Sequence, residues 1–276
     1  MFRGFKFSAL HQQMICHLVY IALSFKIHAQ ERPLILIALM WLFILLIERY
    51  FISYKNKTKW DVPIASLVIA NSIYLNMEAY GTFYWPFFLA ISVALAAKYL
   101  LRINGRPIFN PSLIGVLFIS AFLPQYGSAA MYAWNNEWIY VAIVFCLGTY
   151  ITYLAKTILL SYSYIISFLI ITFLCSFAVH IFPDTFNFMV PQDAPILLYP
   201  LSLFTFGNIL FAFHGIGDPS TAPIGTRAKI LFGIAMGILD FSLRIAVILV
   251  APFLAYAILL LIFGYFRINE QNYKIS

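Results

Sequence analysis

The sequence predicts an all-α protein of about ten helices threaded through a membrane, and three observations predict it. Of 276 residues, 63% are hydrophobic and only 10% charged, with a mean hydropathy of +0.90; a soluble domain carries roughly 25% charged residues. Apolar runs of about the 17–25 residues that a crossing helix needs recur along the whole chain. The 17 Lys and Arg residues are unevenly shared between the two sets of connections that ten crossings create.

Taken in order, the chain begins with Arg3 and Lys6 before an apolar run, which superficially resembles a signal peptide. The run from Ala9 to Phe25 carries His11, Gln12, Gln13 and His17, and no small-residue cleavage site precedes Arg32. It reads as a first, imperfect span or an interfacial helix. Further spans fall at 33–49, 62–77, 83–99, 108–124, 137–155, 159–181, 197–213, 228–246 and 247–266. No connection is long enough to form a soluble domain, so residues 1–276 read as one transmembrane domain, with halves at about 1–125 and 126–276.

Charge fixes the expected orientation. With the N-terminus inside, the inner segments hold Arg3, Lys6, Arg49, Lys55, Lys57, Lys59, Lys98, Arg102, Arg106, Lys156, Arg227, Lys229, Arg267 and Lys274, while the outer ones keep Lys26, Arg32 and Arg244. The net charge of +7 is thereby a topology bias, and no nucleic acid is implied. The outer loop 182–196 carries Asp184 and Asp193 and no base. Trp85, Trp134 and Trp138 fall near the outer boundary, as an aromatic belt requires. A bacterial inner membrane with both termini in the cytoplasm is the expected location.

Two polar, proline-broken stretches interrupt this pattern, Arg106–Gly115 (RPIFNPSLIG) and Gly217–Pro223 (GDPSTAP). Each places a side-chain amide or carboxylate before a proline and a serine: Asn110-Pro111-Ser112 and Asp218-Pro219-Ser220. Asn or Asp at the N-cap with Pro at the first helical position signals a helix start. Such a start leaves free N–H groups and a positive dipole end for a ligand. Broken backbone at membrane depth is tolerated only where it lines a cavity or is buried in protein. Both motifs fall on the cytoplasmic side, so a small-molecule site between two broken segments is expected.

The stretch Lys98–Gly115, followed by HGIGDPSTAPIGTRAKILFGIAMGILDFSLR at His214–Arg244, resembles the membrane subunit family containing RnfD and NqrB, and most of all its shorter RnfD-like members of the UnbU type. The basic lead-in with FNP, and the DP element followed by Arg and a Gly-spaced helix, carry the resemblance; residues 1–97 share only hydropathy. It implies two inverted five-helix halves, similar to ammonium and urea transporters, and a flavin held within the membrane by one subunit of an oxidoreductase. The larger members attach flavin mononucleotide (FMN) to a threonine in a Ser-Gly-Ala-Thr element. Neither Gly225-Thr226-Arg227 nor Gly148-Thr149-Tyr150 matches that element, so the expected cofactor is non-covalent riboflavin or FMN.

The residues offer their own case for a flavin. An isoalloxazine edge presents N–H and C=O groups that the Asn110 amide can pair with as donor and acceptor. Ser112, Ser220, Thr221 and the two helix starts could serve a ribityl chain or phosphate, and Arg106 and Arg102 could neutralise a phosphate. Asn208 leads into the second motif and could reach the same ligand. Plain helix capping is the competing reading of Asn110 and Asp218. Electron transfer needs positioning rather than an acid–base pair, because the redox chemistry belongs to the cofactor.

The remaining polar residues are assigned structural roles. Asp240 and Arg244, spaced i,i+4, read as an intrahelical ion pair near the outer surface. Asn71 and Asn76 lie on the third span, with Glu78 at its outer end. The five histidines offer no facing pair at matched depth, which argues against haem, and Cys16, Cys146 and Cys175 lack metal or disulfide spacing. Two function classes follow: a redox subunit passing electrons between a flavin and a partner subunit or quinone, and a small-solute channel or transporter. A scaffold that has kept the fold and lost the flavin is a third.

Overall fold

The structure, a computed structural model, describes residues 9–28, 33–55, 63–81, 84–103, 105–130, 137–181, 205–246 and 250–274. Among these are ten α-helices: α1 (Ala9–His28), α2 (Leu34–Lys55), α3 (Ile64–Asn76), α4 (Trp85–Leu100), α5 (Pro111–Phe122), α6 (Trp138–Leu154), α7 (Ile158–Ile181), α8 (Phe206–Leu210), α9 (Thr226–Ile245) and α10 (Ala251–Lys274). Each occupies one of the ten predicted apolar runs. Asp184 and Asp193 of the expected outer loop, Trp134, Arg3 and Lys6 lie outside the described residues. Among the described residues, one helix, α7, is both long and apolar enough to cross a bilayer unaided.

The order of contacts repeats with an offset of five helices. α1 and α2 both pack on α3, as α6 and α7 pack on α8 and the π-helical turn Phe211–Gly215 that continues it. α4 joins α2 to α5 as α9 joins α7 to α10, and across the halves α1 meets α6 while α5 meets α10. The core lies at the two shortest central pieces: α3 is buried from Val68 to Asn76, and α8 with its π turn is buried throughout.

Why α3 and α5 are short is visible in their ends. At 13 and 12 residues they reach only about 20 Å at ~1.5 Å per residue. Beyond them the chain runs extended, and the two extensions, β1 (Met77–Ala79) and β4 (Gly127–Ala129), pair antiparallel with Glu78 opposite Ser128. Backbone groups lost to the helices are regained in that ladder and in the flanking bond from Ala130 N to Asn76 O. At the other end, β2 (Arg102–Ile103) and β3 (Arg106–Pro107) turn the chain between α4 and α5.

Small residues set the closest helix contacts. Gly233 and Gly237 bring α9 against the backbone of α7 at Leu160, Tyr164 and Phe168, where any side chain would collide. Gly115 does the same for α5 against Ala90 of α4. Gly148 of α6 receives the ring of Phe213, which anchors the π turn.

Candidate functional site

The two proline motifs converge although more than a hundred residues separate them. Asn110 caps α5: its Oδ1 accepts from Ser112 N at 3.1 Å, Leu113 N at 3.5 Å and Ser112 Oγ at 2.7 Å. Its Nδ2 then donates to Gly215 O at 3.2 Å, stitching the first motif to the π turn. A second stitch runs from Arg106 Nη2 to Pro219 O at 2.7 Å. Asp218 repeats the local device of Asn110, with Ser220 N on one carboxylate oxygen and Ser220 Oγ on the other, both at 2.9 Å. Thr157, at the start of α7, donates to Gly217 O at 2.7 Å and holds the loop from the second half.

Two expectations are corrected. The second motif opens no helix: after Asp218 the chain makes a single turn, closed by Ala222 N to Asp218 O at 3.0 Å, and α9 begins only at Thr226. Pro223 explains the gap, since it has no N–H to donate and pushes its predecessor out of the helical region. Nor does the first motif present free donors. Pro111 has none, Asn110 Oδ1 covers Ser112 and Leu113, and Ile114 N bonds Asn110 O. The phosphate cradle of backbone N–H groups anticipated at these starts is therefore already filled by capping.

Between the motifs lies a cleft of about 240 Å³, lined by Asn110, Ser112, Asp218 and Ser220 together with Gln13 of α1, Ser72 of α3, Lys98 of α4, Arg102 and His214. Arg106 braces the loop that bounds it without lining it. Asn208 and Thr221 do not line it either. Asn208 Oδ1 accepts from Arg244 Nη2 at 2.9 Å, and the Thr221 hydroxyl meets that of Tyr256 on α10 at 2.7 Å. Asn208 thus meets the last turn of α9 and Thr221 meets α10.

The cleft is close to charge balance. Lys98 Nζ is held by Glu48 Oε1 at 2.6 Å and Ser66 Oγ at 2.8 Å, and the Tyr99 hydroxyl also donates to that Glu48 oxygen, leaving the buried Oε2 of Glu48 without a partner. Arg102 donates to Gly105 O in the β2–β3 turn. Burial pushes the Asp218 carboxyl above its ordinary range, opposed by the two bonds from Ser220 and the nearby Arg106 charge.

Two features escaped the sequence reading, and a third lies elsewhere than expected. His17 and His214, expected to lie apart, face one another with Nε2 and Nδ1 3.2 Å apart, and His214 Nε2 lies 3.0 Å from the Tyr20 hydroxyl. Glu48 is buried in α2, where an ionisable residue beside Leu and Ile was a signal in itself. Asp240 and Arg244 do pair, at 2.8 Å, but Asp240 is wholly buried and also accepts from the Tyr164 hydroxyl at 2.7 Å, so the pair is an interior tie rather than an outer-surface one. Asn71 joins α3 to α2 and α1, accepting from Trp41 Nε1 at 2.7 Å and donating to Met14 Sδ at 3.2 Å. Compared with known proteins, the chain matches no family model, no curated protein and no solved structure.

Proposed function

We propose that the chain is a polytopic membrane protein of two inverted five-helix halves that holds a flavin, without a covalent bond, in a cytoplasm-side cleft, and serves as the electron-transfer subunit of a larger redox complex. The observation that carries the reading is the meeting of two Asx-Pro-Ser motifs on one cleft. The resemblance to the RnfD and NqrB subunits supplies the cofactor class.

Membrane residence is supported by inverted amphipathicity. The buried face of α7 carries Ser161, Tyr164, Thr172 and Ser176, whereas Ile166, Ile170, Phe173, Leu174 and Phe177 are exposed. α2 likewise buries Glu48 and exposes Leu39, Leu42 and Leu46. Apolar surface this continuous fits lipid, not water. The short helices α3 and α5 fit the same setting, because where they stop their extensions pair with each other in a strand ladder. Repetition of the helix contacts after an odd number of helices supports inverted halves. Lys98, Arg102, Arg106, Lys156 and Lys229 gather at the motif end, where Lys229 Nζ donates to Lys156 O at 2.6 Å, consistent with a cytoplasmic face.

The chemistry of the cleft favours riboflavin over FMN. Its volume of about 240 Å³ suits one ring system, below the roughly 300–1,000 Å³ of ordinary ligand sites. The capped helix start and near-neutral lining give a phosphate little to bind. Gln13 and Ser72 are polar groups of the lining that could meet a ring edge, and Asn110 positions the wall rather than the ligand. A bound flavin would supply one- or two-electron transfer to a partner subunit or a quinone.

Purified protein should show flavin absorption that acid releases; colour that stays on the denatured chain, or no colour at all, would overturn the assignment. A small-solute conduit is the second reading, favoured by Ser72 on the cleft wall and by the buried Asn76 one turn further along α3 toward the β1–β4 end, whose Nδ2 donates to Ser72 O at 2.8 Å. Solute flux through liposomes containing a colourless protein would select it.

A further inference from the structure

We propose that His17 and His214 form a shared-proton site that opens onto the cleft and exchanges a proton with whatever protonatable molecule occupies it. The inference takes its occupant from the flavin reading, but the proton chemistry stands on the pair itself. Geometry places three polar side chains in one hydrogen-bonded row: His17 Nε2 to His214 Nδ1 at 3.2 Å, then His214 Nε2 to the Tyr20 hydroxyl at 3.0 Å. All three are buried, and of the three only His214 lines the cleft. The two imidazoles meet edge-on, with centroids 4.9 Å apart and planes at 61°, so ring nitrogens rather than ring faces are in contact.

Local structure explains the row. His17 and Tyr20 are three residues apart on α1 and share one of its faces. His214 lies on the π turn, whose wide loop is closed by Ile216 N to Phe211 O at 2.9 Å, and a π-bulge of this kind commonly marks a functional position. Gln13, one turn before His17, also lines the cleft.

A neutral imidazole has one donor and one acceptor nitrogen, so the pair holds a single hydrogen between its rings. With Tyr20 donating to His214 Nε2, the Nδ1–H of His214 donates to His17. A proton from the cleft enters at His214 Nε2 when the Tyr20 hydroxyl hydrogen rotates away and frees that lone pair; the His214–His17 contact stays intact. Tyr20 turns from donor to acceptor at Nε2, and the hydrogen between Nδ1 and Nε2 sits on either ring, which shares the charge. On discharge the proton returns to the occupant or to water in the cleft, and Tyr20 turns back. The charged groups facing the pair are Lys98, Arg102 and Asp218 across the cleft. α3 and α6, which flank α1, carry no charged residue or histidine, and Cys16 lies beside Tyr20 on α1 itself.

The test is proton uptake by the whole protein in lipid nanodiscs from about pH 8 down to about pH 3, read together with the ring-nitrogen resonances of its histidines. The wild type should take up one proton that both rings report together. His17→Gln keeps a polar contact to His214 but holds no proton, so the joint step should be lost; Tyr20→Phe should shift it, and His180→Gln, at the exposed end of α7, should leave it unchanged. Two rings that titrate independently or not at all, or a joint step that survives His17→Gln, would overturn the proposal. Where flavin is bound, the pH dependence of its midpoint potential should lose one inflection in His17→Gln while the chromophore is retained. A colourless protein sinks the flavin reading and leaves uptake to decide; a flavin with unchanged pH dependence sinks the proton site alone.

Discussion

Asn110 does two jobs with the two ends of one amide, and substitution can separate them. Asn110→Asp keeps the cap on α5 and loses the bond to Gly215; Asn110→Ala loses both. Loss of the cap costs about 1–2 kcal/mol, so thermal unfolding in detergent should rank wild type above Asp and Asp above Ala. If the cleft binds flavin through the convergence of the motifs, both variants should lose chromophore, Asp while still well folded. Equal chromophore content in all three would detach the site from this residue. Asp240 offers a contrast. Asp240→Ala takes from the largely buried Arg244 the carboxylate that balances its charge, while the Asn208 amide and the Phe168 ring stay beside it, and an uncompensated buried charge costs roughly 3–5 kcal/mol. Expression and folding should suffer severely, whereas a joint Asp240→Leu and Arg244→Met replacement should be far milder. A single variant as stable as wild type would show that the pair is solvated. Asn110 and Asp218 were legible as polar turn-formers because a side chain that bonds the backbone two residues on, across a proline, is a local signal, though of the two only Asn110 caps a helix. That Asn208 meets Arg244 and Thr221 meets Tyr256 was not legible, because the side of a helix or loop that a residue faces is set by its neighbours, which local spacing does not report.

At the scale of the element, the tight contact between α7 and α9 rests on Gly233 and Gly237. Gly237→Ala places a methyl against Ser167 Oγ and the α7 backbone, which has no flexible end to yield. Overpacking of this kind costs about 1–3 kcal/mol, and the same substitution at Gly225, where a Cβ meets nothing within 4 Å, fails for a different reason, its φ of +91°. A melting temperature for Gly237→Ala equal to wild type would mean the two helices are not in close contact. Each described helix falls on one of the ten apolar runs, because burial in lipid or protein rewards hydrophobic length directly. The bounds differ most where the run 197–213 holds the five-residue helix Phe206–Leu210 and where α10 continues to Lys274. The helix expected at Asp218-Pro219 did not form, because Pro223 stops a helix before it can extend.

For the whole molecule, orientation is the decisive property. If the chain spans a bilayer as proposed, single cysteines replacing Ile224 and Gln125, both exposed, should react with an impermeant thiol reagent from opposite faces, Ile224→Cys from the proposed cytoplasmic one. Labelling from the same face would dismantle the inverted arrangement and the placement of the cleft. Composition and hydropathic runs alone settled that the chain is helical and how its helices are spaced, since both follow from short-range partition of side chains between apolar and aqueous surroundings. Which polar residues meet was decided only by the fold. The pairing of His17 with His214, the stitch from Asn110 to Gly215 and the burial of Glu48 beside Lys98 join positions on different helices, and the distances among them depend on how those helices cross rather than on any local pattern.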